Sequence, residues 1–527
     1  MSSLNAQINK VMESLNRKRI SKPSFFILVI GFLFFTVASS IITPAFSGPD
    51  DDFHLTSIWC ANGVETPNCY SVAPGEYWSI SEVPYDLQTL HSCKPRNVGE
   101  SGPCNLSSAK NEIATIRSNS GSYPKLYYWV NNLFVNQDVQ NSVLRLRIFN
   151  SLFLGVLLIL ALALLPKRNR WMLMATTIFT TIPFPLFLLG TNNPQAWSLS
   201  LIISFFYVFH FCLLTKKESF SRNRTIFTIF YLLLLGSMII GARGDGKIVI
   251  LFAIGMSLLL DIRQINRKKI LIATSAILST LILDKYLGIP VPNFGKSRMP
   301  SNDPGYLFHN FLEFPAFILG LFGGKGDSGY LGLGEFDLPL PSIAMVAIIS
   351  ALIILFTEKS KNRDSKRAIF LGTIGTCFIG LYSMYLQGAS TAGYFQPRYL
   401  LAFILVLISI ALLERVEDIP EKKLRMALAS LFIGYLGYLY AVILRYSTGV
   451  YVEKSKYLEI FSMPNTYVSK ETIHWKMFSG DLYGLITINT YLCFSILSVC
   501  WLVILLSLYY ARNIYIEDAH SGLVSQR

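Results

Sequence analysis

The sequence predicts an all-α polytopic membrane protein, and its composition, its apolar runs and the placement of its basic residues each point there. Of the 527 residues, 52% are hydrophobic and 15% are charged, whereas soluble domains carry roughly 25% charged residues. The mean hydropathy is +0.44. Apolar runs approaching the roughly 20 residues that a membrane span needs recur between residues 24 and 511. The lipid bilayer is therefore the expected surroundings of the chain.

The apolar runs predict about 12 transmembrane helices, with both termini in the cytoplasm. The predicted spans cover residues 24–46, 148–166, 171–190, 197–214, 225–242, 248–262, 270–288, 341–357, 368–387, 399–413, 426–445 and 486–511. The first is expected to be an uncleaved signal anchor, because it is longer than the 7–15 apolar residues of a cleavable signal and no small-residue cleavage site closes it.

The basic residues indicate how the chain is oriented. The net charge of +14 could suggest a nucleic-acid partner, but the basic clusters lie in short connections between apolar runs, at residues 10–22, 167–170, 216–224, 263–269, 359–367 and 415–425. The positive-inside rule places such connections in the cytoplasm. Because no basic stretch is interleaved with stacking aromatic residues, no nucleic-acid partner is expected.

On this topology the chain has five regions. They are a cytoplasmic N-terminus (1–23), a transmembrane core (24–290) with an extracytoplasmic loop (47–147), an extracytoplasmic loop (291–340) with an interfacial helix (306–322), C-terminal transmembrane helices (341–511) with an outer loop (446–485), and a cytoplasmic tail (512–527). Segment 306–322 is apolar, but counting it as a span would move the basic cluster 359–367 outside. Since the cytoplasmic connections are short, an active site is expected on the outer face.

Four of the eight cysteines lie together in the first outer loop, namely Cys60, Cys69, Cys93 and Cys104. An even number of cysteines in one polar loop favours two disulfides, and therefore an oxidising compartment. Free thiols and zinc binding are the alternatives, although no CxxC pair is present for zinc. The pairing of the four cysteines is left open.

The strongest candidate for chemistry is the acid cluster Asp50, Asp51 and Asp52, which follows the first span and precedes His54. Unpaired carboxylates at a lipid boundary are costly. If the chain is helical here, His54 shares a face with Asp50 and with Asp51. That arrangement suits a general base with an orienting partner, or a divalent cation such as Mg²⁺ or Mn²⁺. The alternative is an ordinary helix N-cap.

Three basic residues on the expected outer side are candidate phosphate ligands. Arg398 lies where an outer loop enters a span. It either extends to the lipid headgroups or binds a phosphate through its planar guanidinium. Arg243 and Lys247 flank a turn with two glycines, whose backbone N–H groups can approach an anion. An ordinary hairpin between two spans is the alternative there.

These motifs resemble those of a known family. An acidic pair just after the first span, opening a large outer loop, is typical of the clan C (GT-C) glycosyltransferases. The P-D-D-D-F-H stretch at 49–54 resembles the P-D-E-x-x-H motif of the domain-of-unknown-function 2142 family, bacterial membrane proteins grouped with that clan. Three more stretches match in order. Y-P-K-L-Y-Y-W at 123–129 resembles x-P-P-L-Y-Y, G-E-F-D-L-P-L-P at 334–341 resembles G-W-L-D-T-x-L-P, and Q-P-R-Y at 396–399 resembles Q-G-R-Y.

The resemblance implies a GT-C-like fold and an inverting glycosyltransferase of the bacterial cytoplasmic (inner) membrane, with its active site facing outward. Its expected partners are a polyprenyl-phosphate-linked sugar as donor and an envelope glycan or lipid-linked molecule as acceptor. The chain carries no nucleotide-binding motif, which favours a lipid donor over a nucleotide sugar. The alternatives are a polysaccharide polymerase or ligase, a lipid-linked-sugar flippase or transporter, and a non-catalytic envelope scaffold.

The same resemblance suggests a role for each candidate residue. Asp50 is expected to be the catalytic base, with Asp51 and His54 in support. The expected ligands of the donor phosphate are Arg398, Arg243 and Lys247, and the expected substrate contacts are Asn193, Tyr127, Asp337 and Gln396.

Overall fold

A computed structural model describes the chain over most of its helical part. The described residues are 24–45, 48, 50–62, 65–66, 69–73, 78–84, 113–119, 121–181, 183–215, 221–288, 304–319, 341–356, 363–386, 396–413, 419–447, 481–483 and 487–524.

The described helices, in chain order, are α1 (Ser24–Ile41), α2 (Asp51–Trp59), α3 (Leu126–Asn132), α4 (Val139–Leu164), α5 (Lys167–Thr181), α6 (Phe184–Leu189), α7 (Gln195–Leu214), α8 (Arg222–Ala242), α9 (Gly246–Leu260), α10 (Arg267–Leu287), α11 (Pro304–Leu319), α12 (Ser342–Phe356), α13 (Arg363–Leu386), α14 (Pro397–Leu413), α15 (Glu421–Ser447) and α16 (Thr490–Val524). Three long helices begin at side-chain caps. Asp138, Ser221 and Asn266 each accept a hydrogen bond from the backbone N–H three residues further on.

Among these elements, eight helices are long and apolar enough to cross a membrane, namely α1, α4, α7, α8, α10, α13, α15 and α16. Helices α9, α12 and α14 are apolar but shorter. The predicted span 171–190 is divided between α5 and α6. The prediction of a multi-pass helical membrane protein is therefore confirmed, whereas the count of twelve spans stays a prediction.

Side-chain contacts sort the connections between helices into two groups. The turns that follow α1, follow α6 and precede α14 contact one another. Other contacts join the end of α4 to the start of α8, the turn after α9 to the start of α13, and the start of α15 to α16. The acid cluster and the basic connections thus lie at opposite ends of the bundle. Which end faces the cytoplasm stays a prediction of the positive-inside rule.

Between α2 and α3 the chain forms a four-stranded antiparallel sheet, which the sequence analysis did not foresee. Its strands β1 (Glu65–Thr66), β2 (Cys69–Ala73), β3 (Trp78–Pro84) and β4 (Ile113–Asn119) pair in sequence order. A second antiparallel pair, β5 (Asp481–Tyr483) and β6 (Thr487–Asn489), precedes α16. The backbone N–H of Asn119 donates to Ser57 Oγ at 2.8 Å, which attaches the four-stranded sheet to α2.

One predicted disulfide is present. Cys60, at the end of α2, is bonded to Cys69 of β2, with a Cα–Cα distance of 5.2 Å. The bond fixes the sheet to the helix that carries the acid cluster. Cys93 and Cys104 lie outside the described residues, so their pairing stays a prediction.

The expected interfacial segment 306–322 contains a helix, α11. Phe314 and Phe317 are buried, and their rings stack 5.7 Å apart, whereas Phe308 and Phe311 are exposed. The phenylalanines of α11 therefore lie in two environments, one inside the protein and one at its surface. Whether α11 lies in the membrane interface stays a prediction.

The Cys60–Cys69 bond gives a direct test of this part of the fold. Protein purified without reductant and denatured should not take up an alkylating reagent at Cys60 or Cys69 until a reductant is added. The reduced cysteines Cys212 and Cys493 should label before reduction and serve as internal controls. Peptide mass mapping would read out each site, and alkylation of Cys60 before reduction would contradict the disulfide.

Candidate functional site

Asp50 occupies the turn that leads into α2. Its φ of 56° and ψ of 23° are left-handed, and it is the one non-glycine residue with positive φ in the described part of the chain. Aspartate tolerates this conformation better than most residues do. Asp50 holds the N-cap position of α2, yet its side chain makes no cap hydrogen bond. Instead, Arg398 Nη2 donates to Asp50 Oδ2 at 2.8 Å.

Arg398 lies in the first turn of α14 and points into the protein. Its side chain is 5% exposed, whereas that of Asp50 is 38% exposed. Gln195 Nε2 donates to the Arg398 carbonyl at 2.6 Å and fixes the backbone. The guanidinium lies 5.5 Å from the ring centroid of Tyr399. Its Nε has no hydrogen-bond partner within the described structure. Arg398 therefore faces the acid cluster from within the protein.

Asp51 is fully buried and is held by backbone groups as well as by an arginine. Its carboxylate accepts hydrogen bonds from the backbone N–H of Gly48 at 3.0 Å and of Asn192 at 3.2 Å. Arg147 Nη2 lies 3.7 Å from Asp51 Oδ2. At Gly48, an added Cβ would lie 2.5 Å from Thr191 Cβ. The absence of a side chain at Gly48 thus allows the turn after α1 to reach Asp51 and Thr191.

Arg147 was missed by the sequence analysis. It is fully buried, and it donates to the carbonyls of Thr43 at 2.6 Å and Pro44 at 2.9 Å, just past the end of α1. The predicted span began at residue 148, but α4 begins at Val139, so Arg147 lies inside a candidate span. An arginine within the first turns of an apolar helix is a signal that could have found it.

His54 faces an aromatic cluster. Its Nδ1 lies 2.8 Å from the Tyr128 hydroxyl, and its ring meets that of Tyr123 edge-on at 5.2 Å. Burial raises the pKa of both tyrosines, so their hydroxyls stay protonated and can donate. Tyr127, an expected substrate contact, is 1% exposed and packs edge-on against Trp197 at 5.0 Å. The aromatic rings of Tyr123, Tyr127 and Tyr128 therefore pack next to the helix that carries the acid cluster.

The carboxylates of Asp50 and Asp51 each face an arginine. Among the residues that the structure describes, no group of three or more His, Cys, Asp and Glu side chains is arranged to hold a metal ion. Asp50 faces Arg398, whereas Asp51 faces Arg147. Each carboxylate already lies beside a guanidinium, which a cation would have to displace. Binding of Mg²⁺ or Mn²⁺ by Asp50, Asp51 and His54 stays a prediction.

The other two candidate phosphate ligands have carboxylate partners. Arg243 donates through Nε and Nη2 to the two carboxylate oxygens of Asp245, at 2.8 and 2.9 Å. Burial alone would lower the pKa of Arg243, but the Asp245 carboxylate has the opposite effect. The net result is a raised pKa, and the guanidinium stays charged. The guanidinium carbon of Arg243 also lies 5.2 Å from the ring centroid of Tyr399. Tyr399 is the neighbour of Arg398, so Arg243 lies close to the pair of Arg398 and Asp50. Lys247 pairs with Asp284 of α10 at 2.7 Å. Phosphate contacts by Arg243 and Lys247 stay predictions.

The expected substrate contacts differ in their surroundings. Asn193 is buried, and its Oδ1 accepts a hydrogen bond from the Gln195 backbone N–H at 2.9 Å, which closes a turn just before α7. Its neighbour Asn192 is fully buried, and both polar atoms of its side chain have no partner among the described residues. Gln396 is partly exposed and immediately precedes α14. Asp337 lies outside the described residues. Substrate binding by Asn193, Tyr127, Asp337 and Gln396 stays a prediction.

An apolar cavity lies deeper in the bundle. Its volume is about 60 Å³, and its walls come from α1, α4, α5, α6, α7 and α14. Its lining includes Ser151, one helical turn beyond Arg147, and Leu189, three residues before Asn192. Part of the cavity lining therefore lies near the end of the bundle that carries Asp50. Its polar lining consists of serine and threonine side chains, and the rest of the lining is apolar.

The buried pair of Arg147 and Asp51 leads to a stability prediction. Replacing Arg147 by Met leaves the buried Asp51 charge uncompensated, and we expect a loss of about 3–5 kcal/mol in the free energy of unfolding. The matched control is Arg425→Met, because Arg425 pairs with Glu421 at the surface, where both side chains are more than half exposed. Such an exposed pair contributes little to stability, because water screens it.

Denaturation in detergent would measure both variants. Adding Asp51→Asn to Arg147→Met should recover part of the loss, because the uncompensated charge is then gone. Equal effects of Arg147→Met and Arg425→Met would contradict the buried pair.

Comparison with known proteins gives one match. The family model described as predicted membrane protein (DUF2142) matches residues 33–407, which is well over half of the chain. The match includes the acid cluster after α1 and the Arg398 motif at the start of α14. No curated protein and no solved structure matches the chain. This polytopic membrane protein therefore belongs to the DUF2142 family.

Proposed function

We propose that the protein is a GT-C-type glycosyltransferase that moves a sugar from a polyprenyl-phosphate donor to an envelope glycan or lipid-linked acceptor on the extracytoplasmic face. The observation that carries the proposal is the 2.8 Å contact between Asp50 and Arg398. Asp50 and Arg398 belong to motifs that lie far apart in the sequence. They meet at one end of the helical bundle, where they place a carboxylate beside a guanidinium, a group that commonly binds phosphate. A hydroxyl-deprotonating base beside a phosphate ligand is the arrangement that this transfer needs.

The apolar cavity supports a lipid-linked donor. A polyprenyl phosphate keeps its chain in the hydrocarbon layer and its phosphate at the headgroup level. The cavity is lined in part by α4 and α14, the helices that carry Arg147 and Arg398, and Leu405 in its lining is two helical turns along α14 from Arg398. A donor with its phosphate on Arg398 could therefore extend its chain inward along α14.

The transfer requires one base and one site for the leaving phosphate. The oxygen of the acceptor hydroxyl attacks the anomeric carbon, and its proton passes to Asp50. The bond between the anomeric carbon and the phosphate oxygen breaks, and its electron pair leaves with the polyprenyl phosphate. Arg398 stabilises the charge that develops on that phosphate. A single displacement of this kind inverts the anomeric centre.

In this mechanism Asp51 has a different role from Asp50. It is fully buried, and two backbone N–H groups and Arg147 surround its carboxylate. We assign it to holding the turn after α1, and so to positioning Asp50. His54 and Tyr128 hold α2 against α3 and act in the same way.

If Asp50 is the catalytic base, Asp50→Asn should lower the rate of sugar transfer by about 100-fold or more, while the protein still accumulates in the membrane. Asparagine tolerates the left-handed backbone at this position, so the turn should survive. The control is Asp261→Asn, which removes a carboxylate from another ion pair of 2.8 Å, with Lys269, at the opposite end of the bundle. Transfer would be measured with a radiolabelled lipid-linked sugar in membranes. Full activity of Asp50→Asn would refute the assignment.

Mass analysis of envelope glycans from cells with and without the protein would identify the reaction class. We expect one sugar substituent to be missing while the backbone chain keeps its length. Shorter or unligated chains would favour a polymerase or ligase, and unchanged glycans would contradict the proposed function.

A further inference from the structure

We propose that Asp50 occupies the phosphate-binding position of Arg398 while the site is empty, and that the donor phosphate displaces it. The base then becomes available only after the donor has bound. This inference rests on the proposed function and deepens it, because it assigns an order to binding and gives the ion pair a regulatory role.

The first support is the incomplete coordination of Arg398. At Arg243 the Nε and Nη2 donors both bind the carboxylate of Asp245, at 2.8 and 2.9 Å, which is the fork geometry that arginine and carboxylate favour. At Arg398 the described contact to Asp50 uses Nη2, and Nε has no hydrogen-bond partner within the described structure. Arg398 is also 5% exposed, and a buried donor without a partner is costly. The two unesterified oxygens of a donor phosphodiester could bind Nε and Nη2 together.

The second support is that one partner of the pair can move more easily than the other. Arg398 is buried, lies against the Tyr399 ring, and has its backbone carbonyl bonded to Gln195. The Asp50 side chain is 38% exposed and begins at a turn residue instead of within α2. On the other side of the turn, Asp51 is held by Gly48 and by α4. A rotation of the Asp50 side chain therefore opens the site without moving α2.

The exchange couples donor binding to base strength. While Asp50 lies beside Arg398, the guanidinium stabilises the ionised carboxylate and lowers its tendency to take up a proton. When the donor phosphodiester takes over the guanidinium, Asp50 loses that stabilisation and has the negatively charged phosphate nearby as a like charge. Both changes favour protonation. An acceptor hydroxyl is thus deprotonated readily only when a donor is present.

A binding measurement tests this order. The probe is a sugar-free polyprenyl monophosphate added to the purified full-length protein in lipid nanodiscs, with the neutral polyprenol as the control ligand. A merely structural ion pair predicts that Asp50→Asn weakens binding or leaves it unchanged. The exchange predicts the opposite, namely that Asp50→Asn binds the monophosphate roughly fivefold more tightly, because the competing carboxylate is gone. The affinity for the polyprenol should stay the same.

Two further variants make the result specific. Arg398→Gln should weaken binding of the monophosphate at least about tenfold, since it removes the charged fork. Asp245→Asn removes the same charge from the neighbouring Arg243, and we expect a smaller gain than for Asp50→Asn, because the Arg398 position is still occupied by Asp50. Asp50→Gly, which also permits a positive φ, provides a second way to remove the carboxylate if Asp50→Asn does not fold.

Each remaining outcome identifies which claim fails. Unchanged or weaker binding by both Asp50 variants, together with loss of binding by Arg398→Gln, overturns the exchange but leaves the phosphate site in place. Unchanged binding by Arg398→Gln overturns the phosphate site, and with it the proposed function. Equal tightening by Asp245→Asn and Asp50→Asn shows an effect of net charge, which also overturns the exchange.

Discussion

Two adjacent carboxylates are paired with two buried arginines, and the rest of the site depends on this arrangement. Asp50 meets Arg398 of α14, while Asp51 meets Arg147 of α4. A buried charge is tolerated when an opposite charge and hydrogen bonds surround it, and removal of one partner is strongly destabilising. The two pairs therefore tie the start of α2 to two helices that are distant in sequence. They fix where the segment between α1 and α4 begins relative to the bundle.

The backbone conformation changes between Asp50 and Asp51, and the side chains of these two residues therefore point in different directions. Asp50 has a left-handed conformation, and Asp51 is the first residue of α2. Asp51 becomes fully buried, with the backbone of Asn192 and Gly48 on its carboxylate, whereas Asp50 keeps more than a third of its side chain exposed. Two chemically identical residues thus acquire different tasks. One maintains the structure of the turn, and the other can react with a ligand.

The acid cluster and Arg398 could be predicted from the sequence, because charged residues are conspicuous beside apolar runs and because the order of the motifs resembles a family. The predicted pairing of His54 with Asp50 assumed a continuous helix. Asp50 is not helical, so the i, i+4 spacing does not apply, and His54 faces Tyr128. Arg147 was missed because a span boundary read from hydropathy carries an error of several residues. The sheet was missed because its strands are short and their alternation of apolar and polar residues is weak. Glycine, proline and cysteine residues around the strands also made the segment look like a loop.

The most direct test of the account is an experimental structure of the protein bound to a non-transferable analogue of a polyprenyl-phosphate sugar. The account predicts phosphate oxygens within hydrogen-bond distance of Arg398 Nε and Nη2. It also predicts that Asp50 has rotated away from the guanidinium toward the anomeric carbon, while Asp51 still lies against Arg147. A phosphate bound elsewhere, with the Asp50–Arg398 contact intact, would contradict it.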